Sequence, residues 1–368
     1  MATPERTLTQ RELNRALLAR QLLLERRELG ALEAIERVAG LQSQAPAPPF
    51  VGLWARLDGF HESELQRLID ERQVVRATMM RHTIHFVGAG DYGWLRQTIQ
   101  PALEANFGAQ TGKRLAGVDL GPFLGAARSA FAERPLTFAE VKELIRSLDP
   151  GCDVDAIAYG VRTHLRLAGV PNGSRWRFGG RAPFALAEDW LGQPLPAGGD
   201  PAEMIRRYLA AFGPATPADA TAWSGVGGLR AMFEQLRSEL RVFRDEGGRE
   251  LFDLLAAPLP DGETPAPVRF LPAFDNTLLG HRDRTRVIAD AHRPRVYLTA
   301  GRMLGTLLLD GFAAATWKVE RTRGEAMVAI DPFRKISKAE RKAIEPEAEA
   351  LLAFAEPDAR RAGVRYEP

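Results

Sequence analysis

Three stretches of this chain spell the same order with little residue identity between them: a helix pattern, then a short run of strand and turn character. In the first, "HESELQRLIDERQVV" is followed by "RATMMRHTIHFVGAGDYGWL", where residues 81–87 have strand character and "GAGD" reads as a turn. In the second, "TFAEVKELIRSL" starts at Thr137, "DVDAIAYGVRTHLRLAGV" ends at Gly169, and the Gly- and Arg-rich "PNGSRWRFGGRAPFALAEDWL" reads as a hairpin. In the third, Thr216 caps a helix with Pro217 at its first position, "GGLRAMFEQLRSEL" follows, and "RVFRDEGGRELFDLL" turns back at Glu246-Gly247-Gly248. Helix, helix and wing, three times over, restrict the chain to tandem winged-helix units. The helix before the first of them opens with Thr9 and Glu12 in capping-box spacing.

From about residue 266 the pattern changes. "VRFLPAFDNTLLG", "RVYLTAGRMLGTLLLDGFAAATWKVERT" and "GEAMVAI" are apolar, β-branched or aromatic runs separated by Gly, Pro and Asp. They predict a small antiparallel sheet or barrel, and "SKAERKAIEPEAEALLAFA" returns to helix. The expected class is α+β. Residues 1–130 hold the first unit, 131–198 the second, 199–262 the third and 263–368 the barrel-like end.

Winged helices place a helix in the major groove, so they point to nucleic acid; they also serve as protein-interaction modules. Arg175, Arg177, Arg181 and Arg249 in the wings are candidate phosphate contacts. Arg81 and His85 are candidates from the first wing, and Arg282 and Arg284 from "FDNTLLGHRDRTR". That last run also reads as a barrel hairpin with paired charges, among them Asp275. The chain has six lysines against forty-three arginines, a bias that GC-rich coding also produces. The single cysteine, Cys152, excludes intramolecular disulfides and cysteine-rich metal sites. His82 and His85, three apart on a strand, face opposite sides, so no metal is expected. With no apolar run of membrane length and no signal-like N-terminus, the expected setting is cytoplasmic, away from membranes.

The stretch "GLQSQAPAPPF" sets Gln42 and Gln44 one residue apart, where the helix "LGALEAIERVAGLQ" runs into three prolines. Residues two apart diverge by about 200° on a helix and point the same way in extended chain. Pro46 disfavours helix at Ala45, so Gln44 is expected outside the helix, with both amides toward one cavity. Primary amides donate and accept but do not titrate. They hold a water without deprotonating it, which suits a leaving group that is already activated. An N7-alkylated purine is one, because its ring is cationic. Ordinary helix-end capping is the structural alternative.

These stretches resemble the AlkZ-like winged-helix DNA glycosylases of the azinomycin-resistance type. The resemblance rests on Gln42-Ser43-Gln44 as the family's Gln-x-Gln motif, and on "MMRHTIHFVGAGDYGWL", "LPAFDNTLLGHRDRTRVI" and "GTLLLDGFAAATWKVE" in family order. It covers nearly the whole chain. Gln44 sets the chain apart from a sister branch with Gln-x-Asp. The resemblance implies a C-shaped monomer of three winged-helix units and a C-terminal barrel around a DNA channel. It implies a glycosylase for alkylated purines in double-stranded DNA, including bulky N7 adducts and crosslinks, in repair or self-resistance. Gln42 and Gln44 are then catalytic, and no cofactor is required. The rival is a non-catalytic DNA-binding protein, either a transcription regulator or a damage binder.

Overall fold

The computed structural model describes residues 4–367. Each winged-helix unit begins with a helix and a short extended segment that pairs with its own wing. In the first, helix Ala31–Arg37 leads to the two-residue strand Leu41–Gln42, then helices Pro48–Trp54 and Glu62–Asp70, then the hairpin Val74–Thr78/Ile84–Gly88. The second runs from helix Gly121–Glu133 through a Leu136–Phe184 bridge to helices Phe138–Leu148 and Val154–His164. Its hairpin is Leu167–Gly169/Phe184–Leu186. The third repeats the order with Pro201–Phe212, an Ala215–Phe252 bridge, Pro217–Ser224, Leu229–Leu236 and the hairpin Leu240–Asp245/Glu250–Leu254. The helix starts follow from local chemistry. Thr9, Thr137 and Thr216 each close a reciprocal capping box with the residue three positions on, which satisfies two orphan amides at each N-terminus.

The first two wings are not separate. Ala77 pairs with Ala168, so both hairpins join one five-stranded sheet, with Leu41–Gln42 on its outer edge against Ile84–Gly88. This places the glutamine stretch on a rigid sheet that two units share. Helix Ala89–Thr111 then carries the chain from the first unit to the second, so "GAGD" is not a free turn: Gly88 is the N-cap of this helix. The boundary expected at 130 falls inside helix Gly121–Glu133.

The C-terminal strands form an open sheet in the order Arg361–Tyr366, Glu325–Pro332, Phe312–Thr322, Gly305–Leu309, Arg269–Leu271. It is antiparallel except for the pairing of its last-made strand, which is parallel to Glu325–Pro332. The two edges do not pair, so no barrel closes. Strand Arg361–Tyr366, drawn from the charged "RRAGVRYEP", carries little apolar pattern to announce it. Helix Lys338–Ala355 covers the sheet with Ile344, Leu351 and Leu352 against Val328, Ile330 and Phe270. Each such side chain contributes roughly 1.5–3 kcal/mol by leaving water. The same cluster takes in Val51 of the first unit. A fully buried, bidentate Arg56–Asp275 pair ties the two parts together at 2.8 and 2.9 Å. Among the described residues no helix is long and apolar enough to cross a membrane.

Candidate active site

Helix Ala31–Arg37 stops five residues before Gln42, earlier than the apolar pattern suggests. The stop is a Schellman turn: Ala39 adopts a left-handed φ of 60° and returns its N–H to the Glu36 carbonyl at 3.1 Å, and Gly40, at φ 86°, returns its N–H to the Ile35 carbonyl at 2.8 Å. A Cβ at Gly40 would lie 3.0 Å from the Phe86 carbonyl oxygen, so the turn needs glycine. The prolines start the next helix instead: Pro48 and Pro49 occupy its first two positions. Asn276 holds the turn from outside, donating Nδ2 to the Val38 and Gly40 carbonyls at 2.9 and 2.5 Å.

Gln42 thus sits in the sheet opposite His85, and Gln44 in the bend that follows. Gln42 is 6% exposed and Gln44 is open to solvent. Arg81 Nη2 donates to Gln42 Oε1 at 3.0 Å, and the Ile84 N–H donates to Gln44 Oε1 at 3.3 Å. Both partners are donors only, which settles each amide's orientation: the oxygen faces the protein. No protein acceptor takes either Nε2 among the described residues, and neither nitrogen is sealed from solvent.

Arg81 is partly buried in a left-handed conformation at φ 55° and has no carboxylate partner among the described residues. Its Nη1 donates at 2.5 Å to the Trp223 carbonyl, in the last turn of helix Pro217–Ser224. The negative end of that helix dipole partly compensates the cation. Burial, reinforced by the charge of Arg284, lowers the Arg81 guanidinium to about 10, so it stays charged at neutral pH. His85 is buried, donates Nδ1 to the Thr83 carbonyl at 3.2 Å and receives Arg81 on Nε2 at 3.5 Å. Burial and the Arg81 charge depress it to about 3, so its ring is neutral. The cluster therefore contains two amides, a fixed cation and a neutral imidazole, and nothing that titrates near pH 7.

A family model for DNA glycosylase AlkZ-like proteins matches residues 35–354. The chain belongs to the AlkZ-like DNA glycosylase family. Among solved structures, Streptomyces sahachiroi DNA glycosylase AlkZ superposes with a TM-score of 0.79 at 22% identity, covering 98% of this chain and 100% of that one. No curated protein matches by sequence.

In this glycosylase the other predicted contacts scatter. Arg175 pairs with Glu62 at 2.8 Å and caps the Phe354 and Ala355 carbonyls, while Arg177 pairs with Asp70 at 2.7 Å. Both are paired along helix Glu62–Asp70 and bond neither glutamine. Arg249 is held by Asp245 and Asp283, each at 2.6 Å. Arg282 is exposed and lines a cleft with Arg249, and Arg284 stacks on Tyr297 at 4.4 Å. Arg181 is exposed in a different cleft, beside the glutamine sheet. His82 and His85 do not converge. His82 lies between the Tyr159 hydroxyl at 2.9 Å and the Thr163 hydroxyl at 3.0 Å. Asp58, a carboxylate fourteen residues beyond Gln44, is exposed on a cleft lined by Arg26 and Arg27 and touches neither glutamine. Sequence reasoning missed Arg76 and Arg162, and reached Asn276 only as part of the charged run "FDNTLLGHRDRTR". Of the two missed, only Arg76 left a signal, a charge inside the apolar run "QVVRATMM".

Proposed function

We propose that this DNA glycosylase is monofunctional and releases N7-substituted purines, bulky adducts and crosslinks included, from duplex DNA. The observation that carries the reading is the pinned amide pair. Each glutamine keeps one carbonyl lone pair and both N–H donors for the substrate side. An attacking water needs a donor to hold its oxygen and an acceptor for its proton, and a pair of primary amides offers both.

The chemistry balances without an enzymatic acid. The C1′–N9 bonding electrons leave with the cationic base, which departs neutral. The water oxygen bonds C1′, its proton passes to solvent, and an abasic site remains. Expulsion of a neutral unalkylated base would require an acid, and the cluster of amides, a neutral His85 and an Arg81 that keeps its proton at neutral pH supplies none. Damaged bases thereby select themselves.

Purified protein, free of added metal, is expected to release 7-methylguanine or a larger N7 adduct in a panel of N7- and N3-alkylated duplexes. Gln42→Ala and Gln44→Ala are each expected to slow single-turnover release by roughly 10²-fold, the usual scale for a transition-state hydrogen bond. Affinity for DNA should hardly change. Full activity in both variants would refute the site. Absence of release from every adduct would favour a damage binder.

A further inference from the structure

Behind the glutamine strand lies a cleft of about 510 Å³ whose charged lining is wholly cationic: Arg76, Lys142, Arg162 and Arg181. The cleft beside Arg249 and Arg282 differs, since Asp219, Glu250, Asp283 and Asp290 also line it. Lys142 has Asp155 as a partner at 2.6 Å, but Arg76, Arg162 and Arg181 have no carboxylate among the described residues. Arg76 is 7% exposed and lies over the Phe178 ring at 4.9 Å. Burial is the main cost to its charge, and the nearby charge of Arg162 adds to it. Arg162 donates Nε to the Thr78 hydroxyl at 2.8 Å, while its Nη2 is buried without a partner. Two adjacent guanidiniums, partly desolvated and short of acceptors, are a costly arrangement that an anion would relieve.

The cleft is bonded to the motif. Arg76 donates Nη2 to the Ser43 carbonyl at 3.0 Å and Nε to the Ser43 hydroxyl at 3.3 Å, gripping the residue between the two glutamines. Ile84, which also lines the cleft, is the residue whose N–H holds Gln44.

We infer that this cleft, on the face of the sheet opposite the Gln42 side chain, clamps one backbone phosphate where the DNA strand passes the edge Leu41–Gln42, with Arg162 and Arg76 donating to its non-bridging oxygens. Arg181 at the rim meets the following phosphate. The inference rests on the glycosylase reading of the glutamines for its register but not for the binding itself.

The test compares wild type with Arg162→Ala and Arg162→Lys, using undamaged duplexes for the salt dependence and duplexes with one tetrahydrofuran abasic analogue, which fixes the register, for a single neutral methylphosphonate walked along each strand. Arg162 is chosen because it does not touch the motif. Arg162→Ala is expected to weaken binding roughly fivefold to tenfold and to lower the slope of log affinity against log salt by about 0.9, one phosphate's worth. One methylphosphonate position should cost wild type a similar factor and cost Arg162→Ala nothing further. Arg162→Lys should recover most of the slope. Identical slopes and identical walk profiles in wild type and Arg162→Ala would overturn the clamp. Micromolar binding of inorganic phosphate that Arg162→Ala abolishes would mark a free-anion site and overturn the assignment to DNA. Base release is scored separately on an alkylated duplex, so a protein that passes the walk but releases no base refutes the catalytic reading alone.

Discussion

Arg81→Met should separate activity from stability. Arg81 orients Gln42 through one charge-assisted hydrogen bond of 3.0 Å, and among the described residues no second protein donor holds that oxygen. Such bonds contribute about 1.5–3 kcal/mol. If that energy is spent on fixing the amide for the transition state, its loss slows single-turnover release of 7-methylguanine roughly 10- to 150-fold. Stability responds differently. The guanidinium is partly desolvated without a carboxylate, and replacing a buried charge by an apolar side chain of similar length is often neutral or favourable. Loss of the bond to the Trp223 carbonyl offsets part of that gain, so thermal unfolding should shift by the equivalent of about 1 kcal/mol or less. Arg81→Lys keeps the charge but cannot span both acceptors with one planar fork, and should recover only part of the rate. Because Arg81 acts through Gln42, Arg81→Met combined with Gln42→Ala should be no slower than Gln42→Ala alone. Losses that multiply in the double variant would refute the argument, as would wild-type release by Arg81→Met.

Three other outcomes follow from the same geometry. His82 and His85 are pushed down to about 4 and about 3 by burial, and His281 is also depressed by burial. The unfolded chain therefore binds protons that the folded one refuses: their contribution is whole above about pH 6.5 and drains away as pH falls toward the folded values, at up to about 1.4 kcal/mol per unit for each. Unfolding temperature should fall between pH 7 and 5, and a flat profile would contradict the burial argument. Asp275→Asn leaves Arg56 buried without its counter-charge and should cost about 3–5 kcal/mol, read from denaturant titration; a change below 1 kcal/mol would show that the pair does not fasten the C-terminal sheet. Lys142 lines the cleft beside the motif, but its amine is engaged by Asp155 at 2.6 Å and so is not free to attack an abasic sugar. Borohydride should therefore trap no covalent complex during base release, and a trapped species would show a lyase step.

How much of this was legible depended on whether a feature is local. The capping box at Thr9 and the helix starts at Thr137 and Thr216 could be read directly, because a cap and its partners lie within three residues. So could the wing tip at Gly247-Gly248, between strands of matching pattern. The end of helix Ala31–Arg37 was misread because Pro46, Pro48 and Pro49 are loud breakers, while the turn that acts is made by Ala39, a residue with no breaker signal, and the single Gly40. The glutamine pair could be recognised as chemistry, but not the orientation of its amides. That depends on Arg81, thirty-nine residues away, and on the Ile84 amide. The arginines illustrate the limit most directly. Composition shows that there are many, yet Arg175, Arg177 and Arg249 are absorbed by Glu62, Asp70, Asp245 and Asp283, and only tertiary pairing reveals it.

The charge inventory around the glutamines bears on why such a site would suit a cationic base. In the proposed reaction a positive charge neither appears nor vanishes; it moves from the purine ring to C1′. A fixed charge near the centre then changes the barrier only through the difference between its distances to those two places. Arg81, charged at neutral pH and bonded to Gln42, disfavours whichever of the two lies closer to it. A phosphate held by Arg76 and Arg162 is the opposite case, an anion carried by the substrate itself. The amides contribute no net charge at all, so they can approach both ends of the transfer without penalising either. A carboxylate at Gln44 would favour the sugar cation more strongly, but it would compete with the DNA phosphates for the same arginines. An uncharged pair beside an exposed cationic cleft avoids that competition, which is a physical reason for amides to stand where a stronger base would be expected.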